Sequence, residues 1–188
     1  MQHKDEKIVY QGKIIEVVEE TVNSNGKEFR LEKARRAPGV RLIIETPEGN
    51  LLLNKEKRHY LEEVDFRLPG GKVFDHLKDY NDFLKTGEDI KIKAKEAAEL
   101  EALQEVGIKP IEMEYLSTSY CGATIDWDLI YFVVKKYEKG EQQLEEHEDI
   151  ETVEATREEL KEWALSGKMQ EDRSVGVILK YLHNRRLD

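Results

Sequence analysis

The sequence predicts an α+β domain, on three observations. Turn chemistry at Asn23-Ser24-Asn25-Gly26 and at Pro47-Glu48-Gly49-Asn50 separates runs that read as paired strands. Leu129-Ile130-Tyr131-Phe132-Val133-Val134 is the most apolar run in the chain, as a central strand buried on both faces requires. Helix signals interrupt and then close the chain, among them a glycine stop at Gly107 and a capping pattern that starts at Thr156.

In order along the chain, residues 8–23 and 27–34 read as one hairpin. Val40-Arg41-Leu42-Ile43-Ile44 and Leu51-Leu52-Leu53 form a second, with a more buried partner. Phe74, Leu77, Tyr80, Phe83 and Leu84 recur at helical spacing, which predicts a short helix ending near Thr86-Gly87. A longer helix carries Ala97 to Val106 and stops at Gly107. Met113 to Ser117 and Trp127 to Lys135 are strands, and a further strand lies near Ile150-Glu151-Thr152-Val153. Helices follow at 157–165 and 171–184, the first with Thr156 as N-cap and Glu159 completing a capping box. The chain has no internal repeat and no low-complexity linker.

Composition bounds the function. At 188 residues the chain is long enough for one domain with a real core, or a core domain with a small appendage. Thirty basic against forty acidic residues leave a net charge of −10, which argues against duplex nucleic acid as a partner. The same acidity repels a pyrophosphate, so local cations must reverse the field wherever one binds. A single cysteine, Cys121, excludes an intrachain disulfide and suits a reducing compartment, the cytoplasm. No apolar run approaches the roughly 20 residues that span a bilayer, and Met1 to Lys7 does not read as a signal peptide, so no membrane partner is expected.

The chemistry concentrates in Leu68-Pro69-Gly70-Gly71-Lys72 and in Glu101 and Glu105 of the helix before Gly107. One α-turn apart, the two carboxylates share a face at roughly 5–6 Å between Cβ atoms, a like-charge pairing that costs about 0.2–0.5 kcal/mol. Such a pair makes physical sense around a divalent cation. On a helical wheel they fall among Ala94, Ala97 and Ala98, whose small side chains leave room for ions near the backbone. The alternative is a solvated acidic face on an alanine-rich helix.

This segment resembles the signature of the Nudix hydrolases, G-x5-E-x7-R-E-U-x-E-E-x-G-U with U aliphatic. Gly71 matches the opening glycine, Glu101 the glutamate after the arginine, Glu105 the second of the paired glutamates, and Gly107-Ile108 the close. Leu100 stands where the family has the arginine that orients a carboxylate, Gln104 replaces the first paired glutamate, and extra residues separate the glycines from the helix. Counting back eight from Leu100 reaches Ile92, which leaves the family's upstream glutamate to Glu88, to Glu96 or to no residue. The resemblance runs from about Ile8 to Leu182. Tyr10-Gln11-Gly12-Lys13, Gly26-Lys27-Glu28-Phe29 and Pro38-Gly39-Val40 look like the amino-terminal hairpin and first core strand of ADP-ribose pyrophosphatases. Glu145-Glu146-His147-Glu148-Asp149-Ile150 resembles the acidic loop that supplies their catalytic base.

The resemblance implies an α/β/α sandwich: a Nudix domain over 38–188 with a mixed sheet between helices and an insertion at about 74–95. A β-hairpin region over 1–37 precedes it and is the element that would build a homodimer. The insertion reads either as a lid beside the metal site or as a surface patch or dimer contact. The implied activity is hydrolysis of a nucleoside diphosphate linked to another moiety, ADP-ribose or a related nucleotide sugar, with Mg2+ or Mn2+. Its competitor is a Nudix-fold protein that binds such a ligand without cleaving it. By the same resemblance Glu101, Glu105 and the Gly71 carbonyl hold metal, and Glu146, then Glu148, is the general base. Arg58, whose guanidinium would grip two phosphate oxygens, Arg36, Gly70 and Gly71 contact substrate.

Overall fold

The computed structural model describes residues 6–57, 64–146 and 148–184. Asn25 and Gly26 take φ of 54° and 75°, the left-handed pair that a tight hairpin turn requires. They join β2 (Ile15–Ser24) to β3 (Lys27–Arg36) in unbroken register from Ile15↔Arg36 to Ser24↔Lys27. The first arm of this hairpin is not one strand. It breaks at Gly12, whose N–H donates to Ile15 O at 2.8 Å, and β1 (Glu6–Gln11) folds back onto β2. Ile125 and Asp126 add in parallel to β3, giving a four-stranded sheet.

A six-stranded mixed sheet forms the main body. Its strands are β4 (Gly39–Glu45), β5 (Leu51–Lys57), β6 (Val64–Arg67), β7 (Ile108–Ser119), β9 (Leu129–Lys139) and β10 (Ile150–Ala155), with β8 (Ile125–Asp126) belonging to the smaller sheet. The order is β10-β5-β4-β9-β7, with β6 paired to β5, and β4 runs parallel to β9 from Gly39↔Leu129 to Ile44↔Val134. As the apolar run predicts, the first six residues of β9 are all buried. Ile130, Phe132 and Val134 pack on one side with Val40, Leu42 and Ala94. Leu129, Tyr131 and Val133 pack on the other with Leu160 and Ile178. Successive residues of a strand point to opposite faces, so one continuous apolar run serves two cores.

Helices cover both faces. The helix expected between Phe74 and Gly87 is α1 (Leu77–Leu84), which lies against the smaller sheet: the Leu77 N–H donates to Lys13 O at 3.1 Å and Asn81 to Glu16 at 3.2 Å. α2 (Ile90–Glu101) covers one face of the main sheet, and α3 (Arg157–Ser166) with α4 (Asp172–Asn184) covers the other. The Thr156–Glu159 capping box at the start of α3 is formed in both directions. Ala94, Ala98 and Ala102 are completely buried against the sheet. Ala94, Ala98 and Ala102 therefore bring the helix close to β4 and β9, while the half-buried Ala97 lines the cleft with Glu101. Leu100 is 55% exposed.

The second hairpin pairs only at its turn, through Ile44↔Leu52 and Glu45↔Leu51. Beyond those residues the strands part, because the segment 68–71 takes the vacated edge of β4. The Leu42 N–H donates to Pro69 O and the Val40 N–H to Gly71 O, each at 2.9 Å. A cleft opens between the parted strands.

Candidate active-site cleft

The cleft has a volume of about 1020 Å3 and is lined by β4, β5, the 68–72 segment, the end of α2 and the 145–149 loop. At the end of α2 the backbone widens into a π-turn over Ala102–Val106, stopped by Gly107 at φ 71°. A wider turn leaves carbonyls without partners in the helix. Gln142 Nε2 donates to Glu105 O at 2.6 Å, Thr152 Oγ1 to the same oxygen at 3.3 Å, and the Gln143 N–H to Gln104 O at 2.9 Å. The single α-turn expected between Glu101 and Glu105 is thus replaced by a wider one, pinned from outside.

Glu105 is 8% exposed and accepts two hydrogen bonds on Oε2, from the Gly70 N–H at 2.6 Å and from Asn54 Nδ2 at 2.9 Å. Gly70 has φ 138°, and a Cβ there would run into the Val40 carbonyl oxygen. A Cβ on Gly71 would collide with the Glu101 carboxylate. The two glycines thus let backbone approach both acids closely, which side chains would prevent.

A buried ion pair holds that segment in turn. Arg41 Nη1 donates to Val40 O at 2.8 Å and to Gly70 O at 3.1 Å. Its Nε and Nη2 grip Glu171 at 2.9 and 3.0 Å, a bidentate pairing. Ser174 Oγ donates to the same Glu171 carboxylate. Arg67 lines the cleft 3.4 Å from Glu56 and from Asp65, and 3.6 Å from Glu171.

The electrostatics of the acid pair follow from burial. Loss of water pushes the Glu105 carboxyl up to about 8, Glu101 adds to the rise, and the Gly70 N–H, Arg41 and Asn54 oppose it. Burial likewise lifts Glu101 to about 7, with Glu148 adding and Arg41 opposing. Both groups ionise near 4.5 when unperturbed. Between those values the native chain holds protons that the unfolded chain has released, so the stability of metal-free protein falls as pH rises from about 5 to 8. Thermal melts in chelator across that range are expected to show a declining Tm that divalent cation restores. A Tm that rises over the range would refute the buried pair.

The structure separates the candidate residues. Glu101, Glu105, Gly70, Gly71, Arg36 and Glu148 line the cleft, as do Glu145 and Asp149. Glu146 is exposed and outside the cleft lining. Of the upstream candidates, Glu96 lines the cleft, 2.8 Å from Lys93, and Glu88 does not. Arg58 falls outside the described residues. Cys121 is free and exposed. Trp127 is half-buried, with the guanidiniums of Arg36 and Arg173 at 4.5 and 4.3 Å from its ring centroid, and its buried Nε1 has no partner among the described residues.

Asn54, Arg41, Arg67 and Glu171 went unread in the sequence. A charged residue inside the apolar run Val40 to Ile44 was the available signal for Arg41, since buried charges are paired. Asn54, directly after Leu51-Leu52-Leu53, is the same kind of interruption.

These features define a class. The chain has an α+β, Nudix-like fold, with helices on both faces of a mixed sheet and an acidic cleft where two strands part. Among solved structures it is similar to the crystal structure of an ADP compounds hydrolase, at a TM-score of 0.71 and 18% sequence identity, covering 97% of this chain and 91% of that one. That likeness is one of fold. No family model matches the chain, and no curated protein does.

Proposed function

We propose that the cleft hydrolyses a nucleoside diphosphate linked to another moiety, ADP-ribose or a related nucleotide sugar, to a nucleoside monophosphate and a sugar phosphate. The observation that carries this reading is the pair of half-buried Glu101 and buried Glu105 set against Gly70 and Gly71. The fold shared with an ADP compounds hydrolase supports it.

Among the described residues no group of three or more His, Cys, Asp or Glu is arranged to hold a metal. A donor set of two carboxylates and a backbone carbonyl nevertheless suits Mg2+, which keeps several waters and binds through one or two carboxylates plus substrate phosphates. Glu101 also raises the pKa of the buried Glu105, and the pair constitutes negative charge that a cation would neutralise. Glu101, Glu105 and the Gly71 carbonyl would hold Mg2+ or Mn2+. Such an ion supplies charge neutralisation at the phosphate oxygens and a more acidic water. Gly71 O already accepts the Val40 N–H, which leaves it a second lone pair.

The chain's own residues do the rest. Asn54 and the Gly70 N–H hold the Glu105 carboxylate in one orientation, and Arg41, anchored by Glu171, holds Gly70. Arg67 and Lys57 face the cleft as phosphate contacts. Glu148 is the better placed acceptor for the proton of the attacking water, since it lines the cleft, acts on Glu101, and is held by the Glu145 N–H at 2.9 Å. With ADP-ribose and Mg2+, Glu148→Gln is expected to lower kcat by about 10²-fold, and Glu146→Gln by less than twofold. A larger loss from Glu146→Gln than from Glu148→Gln would return the base to Glu146.

Gln104 in the cleft lining, in place of a third helix carboxylate, favours a second reading, ligand binding without cleavage. The experiment that decides is incubation with ADP-ribose and Mg2+ or Mn2+. Release of AMP and ribose phosphate supports hydrolysis, whereas binding without products supports the second reading. The 1–37 region is proposed as a dimer element, supported by the exposed Ile8, Tyr10, Phe29 and Leu31 on its sheet. Sedimentation as a species of only 22.0 kDa would remove it.

A further inference from the structure

The cleft treats its arginines unequally. Arg41 is matched by Glu171, and Arg67 by Glu56 and Asp65. Arg36 is different. Its guanidinium lies on the Trp127 ring, and among the described residues no carboxylate pairs with it. Burial pulls its pKa down, and the charged neighbours that add to the fall are cations, Arg41 and Arg173. In a chain of net charge −10, a half-buried arginine without an acidic partner is the exception.

Lys72 stands on the same wall. It is exposed, bridges to Gly39 beside Trp127, and likewise has no ion pair among the described residues. Asp75 shares this part of the lining and pairs with neither. The acidic side, Glu101, Glu105 and Glu148, thus shares the cleft with a guanidinium that lies on an indole without an acidic partner among the described residues, and with Lys72, whose charge also acts on Glu101. An aromatic face fixes a guanidinium flat while leaving its N–H edge for hydrogen bonds, the geometry that recognises a phosphate.

We propose that Arg36, held on Trp127, and Lys72 form a subsite for an additional phosphate monoester on the substrate, distinct from the diphosphate that the acidic side would take through metal. The cleft thereby selects phosphorylated nucleotide derivatives over their counterparts without that group. This rests on the reading of the cleft as a nucleotide site, and specifies which nucleotides it prefers.

The test is equilibrium binding to the full chain by calorimetry, in chelator so that nothing turns over. The probes are ADP-ribose and its 2′- and 3′-monophosphates. At least one monophosphate is expected to bind about tenfold more tightly than ADP-ribose, the effect of a charge-assisted contact. Arg36→Gln should bring that ratio to about one, and Lys72→Gln, at an exposed position that tolerates the change, should reduce it about threefold. Equal affinity for all three probes overturns the subsite. So does a preference that survives both substitutions, or an Arg36→Gln variant that weakens every probe alike, which assigns Arg36 to the diphosphate. Failure of all three to bind overturns the subsite, and failure to hydrolyse any of them in Mg2+ as well overturns the nucleotide reading with it. Equal binding with normal hydrolysis in Mg2+ overturns the subsite alone.

Discussion

Replacing Glu105 by glutamine is expected to cut turnover of ADP-ribose by about 10³-fold, while the metal-free protein becomes more stable at pH 8. The two effects have opposite signs for one reason. The carboxylate is buried, and burial with Glu101 beside it drives its pKa to about 8, so its ionised form costs the empty fold free energy. A glutamine of the same shape keeps an oxygen to accept the Gly70 N–H and removes the charge. The catalytic loss follows because metal-assisted charge stabilisation contributes several kcal/mol and about 1.4 kcal/mol is tenfold in rate. Steady-state kinetics and melts on one preparation read both. A variant with lower stability and normal kcat would assign Glu105 a packing role.

Gly70→Ala is the substitution expected to damage the fold most among those near the cleft. The residue sits at φ 138°, which side chains rarely adopt, and its added methyl would meet the carbonyl of Val40. Backbone strain of this kind costs on the order of 1–3 kcal/mol, and the collision adds to it unless the 68–71 segment leaves the edge of β4. Detachment would also release the Gly70 N–H from Glu105 and the Gly70 carbonyl from Arg41. The expected result is a loss of about 3 kcal/mol or more in denaturant melts, with activity lost even in the folded fraction. A melt within about 0.5 kcal/mol of the parent would show that the segment is not anchored as described.

The layers of the fold were legible because local patterns and burial agreed. The six apolar residues starting at Leu129 read as a central strand, and the capping box at Thr156 placed α3 to within a residue. The break at Gly12 was missed because alternation continues on both sides of a glycine that also reads as strand. The acid pair and its glycines were legible, since spacing along one helix and turn residues are local signals. What holds them was not. Asn54 reaches Glu105 from 51 residues away, and Glu171 reaches Arg41 from 130. The alanine stripe was read for its small size, which serves helix–sheet packing as well as it would serve an ion, and sequence alone does not separate the two.

The wide turn that ends α2 carries a consequence for how this site tolerates change. A π-turn closes its ring one residue later than an α-turn, so the helix holds one residue more than regular pitch would accommodate. Deleting a single residue between Ala102 and Gln104 would let ordinary pitch return with the downstream phase nearly kept, whereas inserting one more at ordinary pitch would swing everything downstream by roughly 100° about the axis. On insertion Glu101 would stay where it is and Glu105 would leave the cleft floor. The separation of the two acids is thus written in the winding of the backbone, and an inserted residue would undo it even if every side chain were kept.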